Sequence, residues 1–246
     1  MLKIFIDFDG TITKKDVGDA LFINFGGKQC LDFIEEYRQG RMSAVECFQK
    51  ECIACGSIDK KELDNFIDAQ EIDETFKDFK LFCQKNNIEI FILSDGMDYY
   101  INHILKNNNI TDVPFYTNHL QLESLDGSSR FLLKPSFPFT DENCDRCACC
   151  KRNHMLSLSA DDDIIIYIGE GYSDRCPVRY ADLVFAKDDL LKYCQQENIS
   201  YFEYRSFADV TDRLKVLLAN KNTKKNYGLK KRRQAQLAAR EVFLGG

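Results

Sequence analysis

The chain lacks any long apolar segment. No run of residues in the sequence approaches the roughly 20 that a membrane-spanning helix needs, so we expect no membrane partner. The first residues turn acidic at Asp7, which is too early for a secretory signal, and we therefore expect a cytoplasmic protein. The sequence has only three histidines, and they are scattered, so we assign none of them a role.

The cysteine count and the charge distribution argue against two further classes, disulfide-stabilised proteins and nucleic-acid-binding proteins. The 11 cysteines are odd in number, which argues against a closed disulfide framework. The net charge of −6 hides an uneven distribution, because residues 221–246 hold eight Lys or Arg and one acid while the rest holds 25 basic and 38 acidic residues. An acidic body binds nucleic acid poorly, so we expect no nucleic-acid partner.

Short apolar runs alternate with segments of helical spacing. Leu2–Ile6 is rich in β-forming residues and ends abruptly at Asp7, as buried parallel strands do. Similar runs lie at 88–93, 164–168, 182–185 and 200–203. This alternation predicts an α/β fold with a parallel sheet.

Two segments break the alternation. Residues 16–72 predict helices at about 17–25, 29–39, 43–54 and 59–69 with no convincing strand, which suggests a helical cap inserted after the first strand. Residues 116–122 and 130–133 predict a hairpin. We therefore predict a core domain of residues 1–15 and 73–220, a cap of 16–72, and a basic tail of 221–246. The tail is either a solvated helix or a surface that docks on an acidic partner.

The predicted strands end in polar residues that suit phosphate chemistry. Asp7 and Asp9 follow the first strand, where one carboxylate can attack phosphorus and the other can transfer protons. Ser94-Asp95-Gly96 follows the second and is predicted to open a helix, whose start can bind an anion. Lys151 can neutralise phosphoryl oxygens, and Gly169–Asp174 carries acids that suit Mg²⁺. In open α/β sheets ligands bind at this edge.

Together these motifs resemble the haloacid dehalogenase superfamily of phosphatases, subfamily IB. The resemblance implies a Rossmann-like core with a C1-type helical cap and hydrolysis of a small phosphorylated metabolite through an aspartyl-phosphate. It implies that Asp7 is the nucleophile and Asp9 the general acid and base. The implied phosphate-binding residues are Thr11, Ser94, Asp95, Gly96 and Lys151, and the implied Mg²⁺ site comprises Asp7, Asp9, Glu170 and Asp174.

One position departs from the family pattern. Phosphoserine phosphatases usually carry Gly-Asp-Gly at the start of the fourth motif, where this chain has Gly169-Glu170-Gly171. Either Glu170 or Asp174 can therefore be the main acidic ligand. The stretch from Ser94 to Tyr100 resembles the methionine-salvage phosphatases, which act on 2-hydroxy-3-keto-5-methylthiopentenyl-1-phosphate.

Two further groups are candidate sites. Asp16, Asp19 and Phe22 lie where a cap would choose the substrate. Cys144, Cys147 and Cys150 have a spacing that can hold a second, soft metal, or form a packed or redox-prone loop. Alternative functions are a phosphoserine or phosphocholine-type phosphatase, and a catalytically weak binding or regulatory protein with the same fold.

Overall fold

Strands and helices alternate along most of the chain. The computed structural model describes residues 1–125, 127–142, 144 and 146–219. The elements in chain order are β1 (Leu2–Ile6), α1 (Val17–Gly26), α2 (Gln29–Arg38), α3 (Ala44–Cys55), β2 (Ser57–Asp59), α4 (Lys60–Asp68), α5 (Phe76–Lys85), β3 (Glu89–Met97), α6 (Asp98–Asn107), β4 (Phe115–Ser124), β5 (Arg130–Ser136), α7 (Lys151–Ser157), β6 (Ile164–Gly169), β7 (Leu183–Ala186), α8 (Asp188–Gln196), β8 (Phe202–Glu203) and α9 (Phe207–Ala219). This confirms the α/β class that the alternation predicts.

The first of two compact units comprises Met1–Asp7, Asp73–Phe91 and the residues from Arg152 onward. In it β1, β6, β7 and β8 are parallel neighbours in that order, with Ile6 in register with Ile168. The inner residues of β1 and β6 are fully buried, as the uninterrupted apolar runs of a parallel sheet require. Side chains that follow β1 and β6 are therefore held at the same edge of this sheet.

Aromatic packing joins α5 and α9 in the same unit. The Phe207 ring lies 4.9 Å from that of Phe76 and 5.0 Å from that of Phe79 between centroids. All three side chains are fully buried. Such pairs add to the stability that burial of their area already provides.

The second unit comprises Phe8–Ile72 and Ile92–Lys151. Its strands are ordered β2-β5-β4-β3, and only β3 and β4 are parallel. The antiparallel pair β4 and β5 confirms the predicted hairpin. The prediction of no strand in 16–72 is wrong, because β2 pairs with β5. Three residues are too few to show the alternation of buried and exposed side chains that marks a strand. The strand β2 forms because it pairs with β5.

Helices α1 to α4 confirm the four predicted helices within one or two residues at each end. Side chains cap three of them: Asp16 accepts from the Asp19 N–H at 2.8 Å, Ser43 from the Glu46 N–H at 3.1 Å, and Asp59 from two N–H groups of α4. Such caps satisfy donors that a helix start leaves open. The helix boundaries are therefore set locally, which is why the sequence predicts them well.

No helix in the described ranges is both long and apolar enough to cross a membrane. The division into a core of 1–15 and 73–220 and a cap of 16–72 stays a prediction. The predicted tail, 221–246, lies outside the described residues.

Two glycines at the end of β6 differ in the space around them. A Cβ at Gly169 would lie 2.4 Å from Asp174 Oδ2, whereas a Cβ at Gly171 would meet nothing within 4 Å. We expect Gly169→Ala to lower the free energy of unfolding by about 1–3 kcal/mol, because overpacking forces the loop to move. Gly171→Ala is the matched control and should change it by about 0.5 kcal/mol or less. Thermal melts measure both, and equal melting temperatures would contradict this prediction.

Candidate active site

Asp7 stands at the end of β1 in the first unit. Its backbone N–H donates to the carbonyl of Ile168 at 2.9 Å, so the parallel pairing of β1 with β6 continues one residue beyond the strand. The side chain is 5% exposed. The backbone thus fixes a nearly buried carboxylate next to the loop that follows β6.

Asp174 holds that loop together. Its side chain is fully buried; Oδ2 accepts from the N–H groups of Glu170 at 2.9 Å and Gly171 at 3.0 Å, and Oδ1 accepts from the Tyr167 hydroxyl at 2.6 Å. The carboxylate of Asp174 therefore ties the start of the loop to strand β6. Glu170 is half-buried and follows β6 directly, as Asp7 follows β1.

The carboxyl group of Asp9 is the centre of the site in the second unit. Oδ1 accepts from the N–H groups of Val17 at 3.3 Å and Gly18 at 3.4 Å, which are the first two residues of α1. Oδ2 accepts from the Ser94 hydroxyl at 3.1 Å and the Tyr100 hydroxyl at 2.9 Å. Asp9 is thus held between the start of α1, the end of β3 and the first turn of α6.

These surroundings move the Asp9 titration toward neutral pH. Its pKa is raised from 3.8 to about 7, first by burial and then by the negative charge of Asp16. The hydrogen bonds from Tyr100 and Ser94 and the positive charge of Lys151 act in the opposite direction. A carboxyl group that titrates near the working pH can both give and take a proton.

Ser94, Asp95 and Gly96 lie in a strand and not, as predicted, at the start of a helix. They belong to the last part of β3, where the register with β4 shifts between Leu93 and Met97, and α6 begins only at Asp98. The prediction that they open a helix is therefore wrong. Ser94 Oγ instead accepts from the Gly96 N–H at 2.8 Å, which forms a tight local turn within the strand. Side chains of β4 also hold this segment, because Asn118 donates to the Asp95 carbonyl at 2.6 Å.

Lys151 is fully buried, although a lysine at the start of a helix is usually solvated. Its positive charge lowers the pKa of both Asp9 and Asp16. Asp95 positions the preceding residues, since its Oδ1 accepts from the Cys149 N–H at 3.1 Å. Within the second unit Ser94 therefore contacts Asp9 directly and the charge of Lys151 acts on it, while the catalytic and phosphate-binding roles of the three residues stay predictions.

Thr11 is buried in the turn after the first motif. Its N–H donates to the Phe8 carbonyl at 3.2 Å, and Gly10 has a φ of 67°, a conformation that favours glycine. The turn brings Asp9 back toward the start of α1. The phosphate-binding role of Thr11 stays a prediction.

Tyr100 is the residue of the site that the sequence interpretation misses. Its spacing with Ile101 and Ile104 is that of a core position, and its side chain is 1% exposed. Only its hydroxyl, which donates to Asp9, distinguishes it from a core aromatic. Gly96 makes room for it, because a Cβ there would lie 1.9 Å from this hydroxyl and 2.6 Å from Asp9 Oδ2. No pattern in one sequence indicates such a contact.

The three predicted specificity residues have different surroundings. Asp16 caps α1 and its pKa is raised to about 7 by burial and by the charge of Asp19. Asp19 accepts from Arg38 at 3.2 Å. Phe22 is 1% exposed and packs on Phe48, with ring centroids 6.0 Å apart, so it is a core residue.

The thiol groups of Cys144, Cys147 and Cys150 contact one another. Hydrogen bonds with Cys144 and Cys150 raise the pKa of the Cys147 thiol well above its ordinary value, and burial adds to this. Within the described ranges, no group of three or more His, Cys, Asp or Glu side chains is arranged to hold a metal ion. The second-metal interpretation of this cluster thus gains no support, and its redox role stays a prediction.

Known proteins are similar to this chain over most of its length. The profile of a family described as "Putative Phosphatase" matches residues 2–205. The 2-hydroxy-3-keto-5-methylthiopentenyl-1-phosphate phosphatase of Bacillus mycoides (strain KBAB4) is 31% identical over 224 residues, which cover 88% of this chain and 97% of that protein. The polyol phosphate phosphatase of Saccharomyces cerevisiae is 28% identical over 237 residues, covering 89% of this chain and 95% of that protein.

Solved structures share the fold. A phosphoserine phosphohydrolase-like protein from Francisella tularensis has a TM-score of 0.65 at 20% identity, covering 87% of this chain and all of that one. A phosphoserine phosphatase solved as an analogue of its phospho-aspartyl intermediate has a TM-score of 0.64 at 16% identity, covering 86% and 97%. With the family profile matched over most of its length, the chain belongs to the phosphatases of the haloacid dehalogenase family, and it is a phosphoric monoester hydrolase that acts on small phosphorylated substrates.

Proposed function

We propose that the chain is a Mg²⁺-dependent phosphomonoesterase that forms an aspartyl-phosphate on Asp7. The observation that carries the proposal is the half-buried Asp9 carboxyl group, which is held by hydrogen bonds at both oxygens and has a pKa of about 7. It stands two residues after Asp7 in the sequence. A group that can give and take a proton, so close in sequence to a carboxylate nucleophile, suits a two-step phosphoryl transfer.

The residues of this chain fit a magnesium ion. Asp7 and Glu170 follow neighbouring parallel strands and offer the hard oxygen donors that Mg²⁺ prefers. Mg²⁺ keeps several waters and so needs few protein side chains. We assign Asp7, the Asp9 carbonyl and Glu170 as ligands, and Asp174 as the residue that positions Glu170. The ion would offset the repulsion between the attacking carboxylate and the phosphate dianion.

The reaction then has two steps. The Asp7 carboxylate attacks phosphorus, the bond from phosphorus to the leaving oxygen breaks, and protonated Asp9 gives its proton to that oxygen. Asp9 then takes a proton from a water molecule as the water attacks the aspartyl-phosphate, which releases phosphate and restores Asp7. Ser94 and Lys151 hold the phosphoryl oxygens, together with Thr11 and the backbone of the Asp95–Gly96 turn.

The substrate class has two candidates among the relatives. The Bacillus cereus relative, at 29% identity, is a phosphatase of 2-hydroxy-3-keto-5-methylthiopentenyl-1-phosphate. The yeast relative, at 28% identity, is a phosphatase of polyol phosphates. These values do not separate the two. Turnover of phosphoserine and phosphocholine by the wild type tests those two alternatives, and EDTA-sensitive turnover tests the binding-protein alternative.

Replacing the nucleophile should abolish turnover. We expect Asp7→Asn to lower hydrolysis of p-nitrophenyl phosphate by about 10³-fold or more, because an amide cannot attack phosphorus. EDTA should abolish the activity of the wild type, and added Mg²⁺ should restore this activity. Asp78→Asn, in an exposed position on α5, is the control and should keep full activity. Wild-type protein without EDTA-sensitive turnover would support the binding-protein alternative.

Glu170 and Asp174 should have separable effects. We expect Glu170→Gln to raise the Mg²⁺ concentration for half-maximal activity by about tenfold or more with little change in melting temperature. Asp174→Asn should lower the melting temperature clearly, because a buried amide cannot accept all three hydrogen bonds of the loop. Mg²⁺ titrations and thermal melts measure both. The assignment of Glu170 as ligand is wrong if Asp174→Asn lowers the affinity for Mg²⁺ at an unchanged melting temperature. It is equally wrong if Glu170→Gln leaves the affinity for Mg²⁺ unchanged.

The Tyr100 hydroxyl should matter for catalysis. A hydrogen bond to a charged group contributes about 1.5–3 kcal/mol, so Tyr100→Phe should lower kcat/KM by about tenfold or more. Tyr99→Phe is a matched control on the same helix, since it also removes a hydrogen bond to an acid, Asp64, at 2.6 Å. Equal activities of the two variants would show that the Tyr100 contact only supports the fold.

A further inference from the structure

The Ser94–Gly96 turn is held from β4 by two side chains that the reaction above does not use. The register between β3 and β4 shifts there, so that the three residues of the turn stand opposite one residue of β4, Thr117. A bulge of this kind re-aims the side chains of a strand and leaves backbone groups that the ladder does not pair. The partners of these backbone groups therefore decide where the turn points.

Two of these backbone groups have side-chain partners on β4. Asn118 Nδ2 donates to the carbonyl of Asp95 at 2.6 Å, and the Thr117 hydroxyl donates to the carbonyl of Gly96. Asn118 is fully buried and Thr117 is buried as well, so bulk water does not compete for these hydrogen bonds. Because the N–H of a planar trans peptide points away from its carbonyl, the two bonds also set the directions of the N–H groups of Gly96 and Met97.

The N–H of Gly96 connects Asn118 with the catalytic group. It donates to Ser94 Oγ at 2.8 Å, and the Ser94 hydroxyl in turn donates to Asp9 Oδ2 at 3.1 Å. A hydroxyl group has a single proton, so the N–H that it accepts helps to decide where this proton points. A continuous chain of contacts within the second unit therefore runs from β4 through one peptide group and Ser94 to Asp9.

Asn118 adds little to the stability of the fold. Its Oδ1 is buried and has no hydrogen-bond partner among the residues that the structure describes. An unsatisfied buried acceptor costs at least as much stability as one hydrogen bond contributes. The donor of this amide, which fixes the peptide between Asp95 and Gly96, is therefore what the site uses.

We propose that Asn118, assisted by Thr117, is a positioning residue for phosphoryl transfer, which fixes the peptide between Asp95 and Gly96 and through it the Ser94 hydroxyl. This inference rests on the proposed phosphatase function. It adds to the site two residues of β4 that touch neither the substrate nor the reacting atoms. Their effect passes through Ser94, which distinguishes it from a general effect on stability.

Substitution of Asn118 tests this role. We expect Asn118→Leu, which has a similar volume but no donor, to lower kcat/KM for p-nitrophenyl phosphate by about tenfold or more, because small misplacements of a catalytic group reduce rates strongly. The inhibition constant of inorganic phosphate should rise by about tenfold. Asn108→Leu is the matched control and should keep both values, since Asn108 Nδ2 also donates to a backbone carbonyl, that of Ile104, at 3.0 Å.

Thr117 provides a second pair of variants. Thr117→Val removes the hydroxyl at nearly the same volume and should raise the inhibition constant of inorganic phosphate by about threefold or more, whereas Thr117→Ser keeps the hydroxyl and should behave as the wild type. If a thermal melt shows that Asn118→Leu does not fold, this pair carries the test. Equal inhibition constants in the two variants would contradict the proposal.

A double-mutant cycle separates positioning from structural support. In Ser94→Ala the route from Asn118 to Asp9 is already broken, so adding Asn118→Leu should lower kcat/KM by only about twofold or less. Fully additive losses in the double variant would show that Asn118 acts independently of Ser94, and would overturn the proposal.

The outcomes also distinguish this inference from the proposed function. Wild-type protein without turnover of p-nitrophenyl phosphate would contradict the phosphatase function, and calorimetric binding of inorganic phosphate to wild type and to Asn118→Leu then tests the turn by itself. Weaker binding to Asn118→Leu would support the positioning role, and equal binding would overturn it. Normal wild-type turnover with equal kcat/KM in Asn118→Leu and Asn108→Leu would overturn only the role of Asn118.

Discussion

The carboxyl group of Asp9 is the constraint on which the second unit depends. Its two oxygens accept from the start of α1, from Ser94 and from Tyr100, so one side chain ties a loop, a helix start and a strand end together. The close approach of the Tyr100 hydroxyl also requires a glycine at position 96. Because these contacts together fix both oxygens of Asp9, loss of any one of them would shift the group that transfers the proton.

Three acids that are wholly or partly buried in this chain have different surroundings. Asp174 receives three hydrogen bonds and serves as a scaffold. Asp9 receives several but titrates near neutral pH, as proton transfer requires. Glu51 has an oxygen without a hydrogen-bond partner among the described residues, and burial raises its pKa to about 9. The environment, rather than the residue type, makes the difference.

Several features could be predicted from local patterns. The strand before Asp7, the helices between 16 and 72, and the hairpin of β4 and β5 depend on apolar periodicity and on caps such as Asp16, which act over a few residues. The family also follows from ordered short motifs, and the comparisons confirm it. The strand β2 and the continuation of β3 through Gly96 escaped prediction, because each depends on pairing with a strand distant in sequence.

By itself, the sequence determined the α/β class, the family and the set of polar residues that suit phosphate chemistry, including Asp7, Asp9 and Lys151. Only the tertiary structure decided that Asp174 forms hydrogen bonds with its own loop and that Tyr100 reaches Asp9. The reason is physical. Periodicity and motifs report interactions between near neighbours in the chain, whereas the partner of a buried polar group is chosen by packing, which joins residues that are tens of positions apart.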